Sequence, residues 1–122
     1  MSQRKIKVAQ RIKEEVSSIL HDEIKDPRIG FTTITRVEIT NDLRSARIFY
    51  SVLGSEEQKK HAREGLNSCL KFCRKLLGER LKIRYTPDLA FKYDDTLDYD
   101  FRINEIFSKI EDERKEKEGK QE

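Results

Sequence analysis

Long apolar runs are absent from this chain of 122 residues. No stretch approaches the roughly 20 apolar residues that a helix needs to cross a membrane. The first five residues are polar or charged apart from the initiator methionine, and they lack the apolar core of a secretory signal. We therefore expect a cytoplasmic protein with no membrane contact.

Cysteine and histidine are scarce, with two residues of each. Cys69 and Cys73 do not form a Cys-x-x-Cys pair, and neither His21 nor His61 has further ligands nearby in sequence, so no metal site is predicted. Both cysteines fall on one apolar helical stripe, which favours two small buried side chains with free thiols. Free thiols are typical of cytoplasmic proteins.

Glycine-rich loops and catalytic constellations are missing as well. The five glycines form no dinucleotide or phosphate-binding pattern. An acidic cluster around Asp94, Asp95, Asp98 and Asp100 has no neighbouring nucleophile or histidine, so it indicates an acidic turn and helix cap. The sequence therefore predicts neither enzymatic activity nor a cofactor.

Apolar periodicity predicts a single α+β domain. The predicted elements are a helix over 4–25, strands over 31–40 and 44–53, a helical region over 55–84, a strand over 89–93 and a last helix ending near residue 110. Such an order makes a small three-stranded sheet with helices on one face. We assign residues 1–110 to the domain, and we expect the charged residues 111–122 to be a disordered tail.

The region 54–84 gives the clearest functional signal. Between residues 59 and 84 nine Lys and Arg oppose two acids, a net charge of +7 on a chain whose total is +3. Ser55 and Gln58 form a predicted capping box at the helix start. A cationic face nearly free of acids indicates phosphate contacts, although a solvated polar face is the alternative.

The candidate RNA-binding residues lie on two helices. Those of the central region are Lys60, Arg63, Lys71, Arg74, Lys75 and Lys82, and those of the first helix are Arg4, Lys5, Lys7 and Arg11. Arg80 and Arg84 lie closer to the apolar stripe by helical angle. We expect them to brace the sheet or the acidic cluster instead.

The predicted order, with the central region read as two helices, is α-β-β-α-α-β plus a C-terminal helix. That order is the one of a type II KH domain, which grips nucleotides with a G-x-x-G loop between paired helices. The only glycines between Ser55 and Arg84 are Gly65 and Gly78. The usual single-strand clamp is therefore missing.

Several motifs together make the chain resemble the bacterial ribosome-binding factor A family over about residues 4–110. The most specific is Asp26-Pro27-Arg28-Ile29-Gly30, followed by a hairpin. The other matching segments are 11–15, 23–25, 33–39, 42–54, 77–81, 84–89 and 102–103.

The resemblance implies a type II KH-like fold in which the central helices meet at a kink with an Ala-x-Gly pattern. Cys69-Leu70-Lys71 occupies those positions here, which is a departure from the family. We expect the kink to be weaker, or to lie near Gly65.

The resemblance also implies a ribosome-assembly factor. Such proteins bind the immature small ribosomal subunit and its rRNA near the 5′-terminal helix and the neck. They promote maturation and rRNA processing, particularly in the cold, and leave with the help of an assembly GTPase. We expect a monomer. The alternative is a protein-binding adaptor that docks through an edge strand or the tail, with incidental RNA contact.

Overall fold

The structure is a computed structural model, and it describes residues 3–96. In chain order its main elements are helix α1 (Gln3–Ser18), strand β1 (Thr32–Ile39), strand β2 (Ser45–Val52), helix α2 (Glu56–Leu81) and strand β3 (Asp88–Tyr93). The architecture is α+β, as predicted. The predicted C-terminal helix and the charged tail lie outside the described residues.

Helix α1 forms because its apolar residues recur every three or four positions and meet the sheet. Ile12, Val16 and Ile19 are fully buried. The helix continues as a π-helical turn over Ile19–Glu23. The chain then leaves the helix at Ile24, close to the predicted end.

The predicted break after α1 is present, and side-chain hydrogen bonds organise it. Asp26 is extended, and its carboxylate accepts hydrogen bonds from the backbone N–H of Arg28 at 2.9 Å and from its guanidinium. Pro27 then starts a short 3-10 turn, since its fixed φ suits the first position of a helix. The turn buries Ile29 against the core.

The sheet has the order β1-β2-β3. β1 and β2 are an antiparallel hairpin, whereas β2 and β3 are parallel and are connected through α2. Ala46, Ile48, Tyr50 and Val52 of β2 are buried, as the alternation predicts, and the residues between them are more exposed. The helices therefore cover one face of the sheet.

β1 contains one irregularity. Ile34 pairs with Tyr50 and Arg36 pairs with Phe49, so Thr35 is an extra residue without a partner in the ladder. Such a bulge redirects the neighbouring side chains.

Helix α2 is one continuous element over Glu56–Leu81, which corrects the prediction of two helices joined by a kink. Cys69 and Lys71 both lie within this helix. Among residues 3–96 the only non-glycine residues with positive φ are Leu43 and Lys82, so the backbone does not turn at position 71. Without a glycine at position 71 the backbone has no inexpensive way to bend there. The type II KH-like arrangement of the whole domain remains a prediction.

Both ends of α2 have specific caps. The Ser55 hydroxyl accepts a hydrogen bond from the Gln58 backbone N–H at 3.2 Å, and the Gln58 side chain accepts one from the Ser55 N–H at 2.7 Å. The predicted capping box is confirmed. Lys82 ends the helix in the left-handed conformation, with φ of 50° and ψ of 36°.

Candidate nucleic-acid interface

The exposed face of α2 is divided along its length. Near the N-terminal end, Lys60 shares its surface with Glu57 and Glu64, which lie three and four residues away. Further along, Lys71 and Lys75 are exposed neighbours on the same face, and Gly78 follows them. Positive charge is thus concentrated in the C-terminal half of the helix, where nearby acids are fewer.

Arg74 is held by the segment that connects α2 to β3. Its guanidinium donates hydrogen bonds to the backbone carbonyls of Thr86 at 2.9 Å and Pro87 at 3.1 Å. It also lies 3.4 Å from the Asp88 carboxylate. Arg74 therefore positions the connection, and only its remaining exposed surface can meet a ligand.

The same connection lies directly against α2 at Gly78. A Cβ atom on Gly78 would lie 2.5 Å from the Thr86 hydroxyl oxygen, so the close approach requires glycine. Pro87 is fully buried. Residues 82–87 are consequently fixed against the helix at two points, Gly78 and Arg74.

A groove of about 680 Å³ follows from this arrangement. Its lining residues are Lys71, Arg74, Lys75, Gly78, Arg84, Tyr85 and Thr86. Three of the predicted RNA-binding residues meet there, together with Arg84. The sequence assigned Arg84 to a bracing role, whereas the structure places it in the wall of this cationic groove.

A second groove of about 420 Å³ shares Arg84 and Tyr85 with the first. It brings Arg4 from α1 together with Arg44, the residue directly before β2. The Arg44 guanidinium carbon lies 5.5 Å from the centre of the Tyr85 ring. Sequence reasoning missed Arg44 and Tyr85, because nothing in the local pattern says that the hairpin and the α2–β3 connection meet.

The other predicted residues lie outside these two grooves. Lys5 donates a hydrogen bond to the Asn41 side chain at 3.0 Å, and Arg11 pairs with Glu15 at 3.4 Å. Lys7, Lys60, Arg63 and Lys82 are exposed. Within residues 3–96 none of these four side chains makes an ion pair. Four of the ten predicted residues thus line the two grooves, and six lie outside them.

Arg80 braces helix α1 rather than the sheet or the acidic cluster. Its guanidinium donates to the Glu15 carboxylate and the Ser18 hydroxyl, both at 3.2 Å, and lies 3.5 Å from the Glu23 carboxylate. The bracing role was predicted correctly, but its partner was not. The partner is decided by how the two helices pack.

The part of the acidic cluster that the structure describes serves the fold. The carboxylate of Asp94 accepts a 2.7 Å hydrogen bond from the Thr35 hydroxyl and a 3.1 Å bond from the Thr96 backbone N–H. These bonds, aided by the nearby Arg36 guanidinium, hold the pKa of Asp94 below its usual value. Asp94 is buried and Asp95 is exposed. The remaining acids lie outside the described residues.

The cysteines are buried with free thiols, as predicted. Their sulfur atoms lie 3.6 Å apart inside the core face of α2. The hydrogen bond to the Cys69 sulfur, together with burial, raises the pKa of the Cys73 thiol far above its usual value. Both cysteine side chains belong to the hydrophobic core.

Residues 3–96 show neither a metal site nor a membrane-spanning helix. They contain no group of three or more His, Cys, Asp or Glu side chains placed to hold a metal ion. None of their helices is both long and apolar enough to span a membrane.

These features define a small α+β domain that presents two adjoining cationic grooves at one end of its sheet. A family model described as Ribosome-binding factor A matches residues 4–107. The chain belongs to the ribosome-binding factor A family.

Similar proteins cover most of the chain. Ribosome-binding factor A of Halothermothrix orenii is 47% identical over 111 residues, which are 91% of each chain. A candidate ribosome-binding factor A of Thermotoga maritima, solved by NMR, has a TM-score of 0.67 at 30% identity, and the match covers 75% of this chain and 88% of that one.

A third similarity is to ribosome-binding factor A of Thermus thermophilus, represented by a homology model fitted into a cryo-EM map of its complex with the 30S subunit. The TM-score is 0.57 at 19% identity, with 78% of this chain and 96% of that chain covered. At this identity the similarity concerns the fold alone.

Proposed function

We propose that this protein is a non-enzymatic assembly factor that binds the immature small ribosomal subunit through its rRNA. The observation that carries the proposal is the convergence of Lys71, Lys75 and Arg84 at one groove, with Arg4 and Arg44 at the next. Clustered cations of this kind attract a polyphosphate backbone. Membership of the ribosome-binding factor A family, shared with the relatives, supports the same partner.

Phosphate contacts by the grooves give position and salt dependence, and the shape of the folded rRNA gives selectivity. Bound in this way, the protein holds one arrangement of the precursor rRNA near its 5′-terminal helix. Maturation and rRNA processing then proceed from that arrangement, and the need is greatest in the cold, when misfolded RNA helices rearrange slowly. A monomer in the cytoplasm performs this role, and an assembly GTPase assists its release.

The direct test is cosedimentation with precursor small subunits. The double variant Lys71→Glu, Lys75→Glu places two acids in the first groove without disturbing the core, because both side chains are exposed. We expect strongly reduced binding. If two phosphate contacts are lost, the slope of log affinity against log salt falls by about 1.4 to 1.8.

The matched control carries the same change in charge away from the grooves. Lys25 and Lys92 are exposed and line neither groove. The Lys25→Glu, Lys92→Glu variant is expected to cosediment almost as the parent does. Equal binding by the groove variant and the parent would show that the grooves are not the rRNA-binding surface.

A protein-binding adaptor is the second candidate, and a groove beside the edge strand β1 favours it. The lining of this groove includes Ser17, Leu20, His21, Ile24, Thr32 and Ile34. The Thr32 hydroxyl oxygen is buried there without a hydrogen-bond partner among residues 3–96. An extended peptide could pair with such an edge. Binding to an rRNA-free partner that hardly changes with salt would support the adaptor.

A further inference from the structure

We propose that Tyr85 is a stacking site for one unpaired RNA base, and that the two grooves carry the phosphates on either side of that base. The inference rests on the proposed function and names the class of RNA that the grooves take, which is single-stranded. It gives the surface a base-contacting group in place of the missing G-x-x-G clamp.

The exposure of Tyr85 is the first observation. Tyr85 is 63% exposed although it lies in the connection that is fixed against α2, two residues before the fully buried Pro87. An aromatic ring in this setting costs little entropy when it is used for contact, because the backbone that carries it is already fixed by Arg74 and Gly78. Because Tyr85 is exposed and lies outside the hydrophobic core, its ring is available to contact a ligand.

The charges around the ring are the second observation. Lys71 and Lys75 line the groove on one side of Tyr85, Arg4 and Arg44 line the groove on the other, and Arg84 lines both. Among residues 3–96 the only acid that lines either groove is Asp42. One oxygen of its carboxylate, Oδ1, accepts hydrogen bonds from the Thr40 hydroxyl at 2.6 Å and the Arg44 backbone N–H at 3.0 Å, and three arginines line the same groove. The path across the ring is therefore cationic on both sides.

These features match the way proteins bind single strands, with a cationic groove along the backbone and an aromatic ring under a base. A paired base keeps both faces inside its helix and cannot use the ring. The guanidinium of Arg44 lies over one face of the Tyr85 ring, 5.5 Å from its centre, so the base stacks on the opposite face. Unpaired nucleotides of the precursor rRNA are thus the preferred ligand.

The test uses short oligouridylates in which 2-aminopurine replaces uridine at a different position in each oligonucleotide, because stacking tolerates any base. We expect the fluorescence of at least one bound probe to be quenched by the parent protein and by Tyr85→Phe. We expect Tyr85→Ala to remove the quenching and to weaken binding about 5- to 150-fold, the loss of one stacked base. The salt dependence should stay unchanged, since no cation is removed.

Phe31→Ala is the matched control, because Phe31 is 68% exposed and lies at the opposite end of the hairpin. It should bind and quench as the parent does. A thermal melt checks that Tyr85→Ala remains folded.

Three outcomes distinguish a failure of the inference from a failure of the proposed function. If Tyr85→Ala binds and quenches like the parent while Lys71→Glu, Lys75→Glu weakens binding, the stacking site is wrong and the rRNA-binding grooves stand. If Tyr85→Ala loses affinity for the subunit but not for the oligonucleotides, the ring contacts a ribosomal protein, and the inference is again wrong. If the parent binds neither RNA nor subunits, the proposed function fails, and the inference fails with it.

Discussion

The hydroxyl of Thr35 donates a 2.7 Å hydrogen bond to Oδ2 of Asp94, which lies 59 residues further along the chain. Thr35 is the bulged residue of β1, and Asp94 directly follows β3. The bond therefore connects the two edge strands across β2. It explains why an acid from a charged segment is buried, since its carboxylate has partners on both oxygens.

Replacement of this acid has a defined consequence. We expect Asp94→Asn to lower the free energy of unfolding by about 1 to 3 kcal/mol at neutral pH, because a buried hydrogen-bond acceptor is changed. Chemical denaturation measures the difference. Asp95→Asn, a change in the exposed neighbour, should remain within about 0.5 kcal/mol of the parent. An Asp94→Asn protein as stable as the parent would contradict the assigned bonds.

The pH dependence has a definite sign. The pKa of Asp94 is lowered in the folded protein, chiefly by the Thr35 hydroxyl. Its contribution is thus complete above the unfolded pKa of about 3.9 and is lost as the pH falls through the lower folded value. The gap in stability between the parent and Asp94→Asn should narrow in that acidic range. A gap that widens on acidification would be inconsistent with the lowered pKa.

Gly65 is required where the 3-10 turn meets α2. A Cβ atom at this position would lie 2.8 Å from Cγ2 of Ile29, which is buried and β-branched and so cannot easily move. We expect Gly65→Ala to destabilise the protein by about 1 to 3 kcal/mol despite its better helix propensity. Denaturation midpoints provide the measurement.

Gly30→Ala is the control for that prediction. Gly30 has φ of −59° and ψ of −32°, and a Cβ atom would lie 3.5 Å from the nearest atom, the Pro27 carbonyl oxygen. The change should be neutral or stabilising by up to about 1 kcal/mol. Equal effects at the two glycines would mean that the turn does not pack closely on α2.

Arg74 and Lys75 are adjacent in sequence but are expected to differ in role. Arg74→Ala leaves the Thr86 and Pro87 carbonyls without their donor, so we expect a loss of about 1 to 2 kcal/mol in stability. Lys75→Ala removes an exposed side chain and should change stability by less than about 0.5 kcal/mol while it weakens RNA binding. Thermal melts and filter binding on both variants compare the two properties. Equal losses of stability in the Arg74→Ala and Lys75→Ala proteins would show that Arg74 does not hold the α2–β3 connection.

The left-handed end of α2 gives a prediction in which two properties change in opposite directions. Lys82→Gly relieves the positive φ and should raise stability by up to about 1 kcal/mol, while the lost cation weakens RNA binding slightly. Lys75→Gly is the matched change inside the helix, where it should lower stability by about 1 kcal/mol. If Lys82→Gly lowers the stability, the contacts of the Lys82 side chain stabilise the fold by more than its left-handed backbone destabilises it.

Local sequence patterns were sufficient to predict the helices and strands of this fold. The spacing of apolar residues predicts α1, the alternation along 44–53 predicts the buried face of β2, and the Ser55–Gln58 capping box predicts where α2 begins. Each depends on neighbours within four residues, so the chain itself encodes them. The Asp26–Gly30 motif likewise indicates the family, which the relatives confirm.

Contacts between distant segments were decided only by the tertiary structure. Arg74 had the same exposed-cation signature as Lys75, but only the path of the α2–β3 connection shows that Arg74 binds its carbonyls. Helix α2 is unbroken at Lys71, where the family pattern predicts a kink. The amino-acid sequence thus determined a small α+β domain with a strongly basic central helix. The packing of α1, the hairpin and the α2–β3 connection decided that Arg4, Arg44, Arg84 and Tyr85 meet, because a surface made from distant segments has no local sequence pattern.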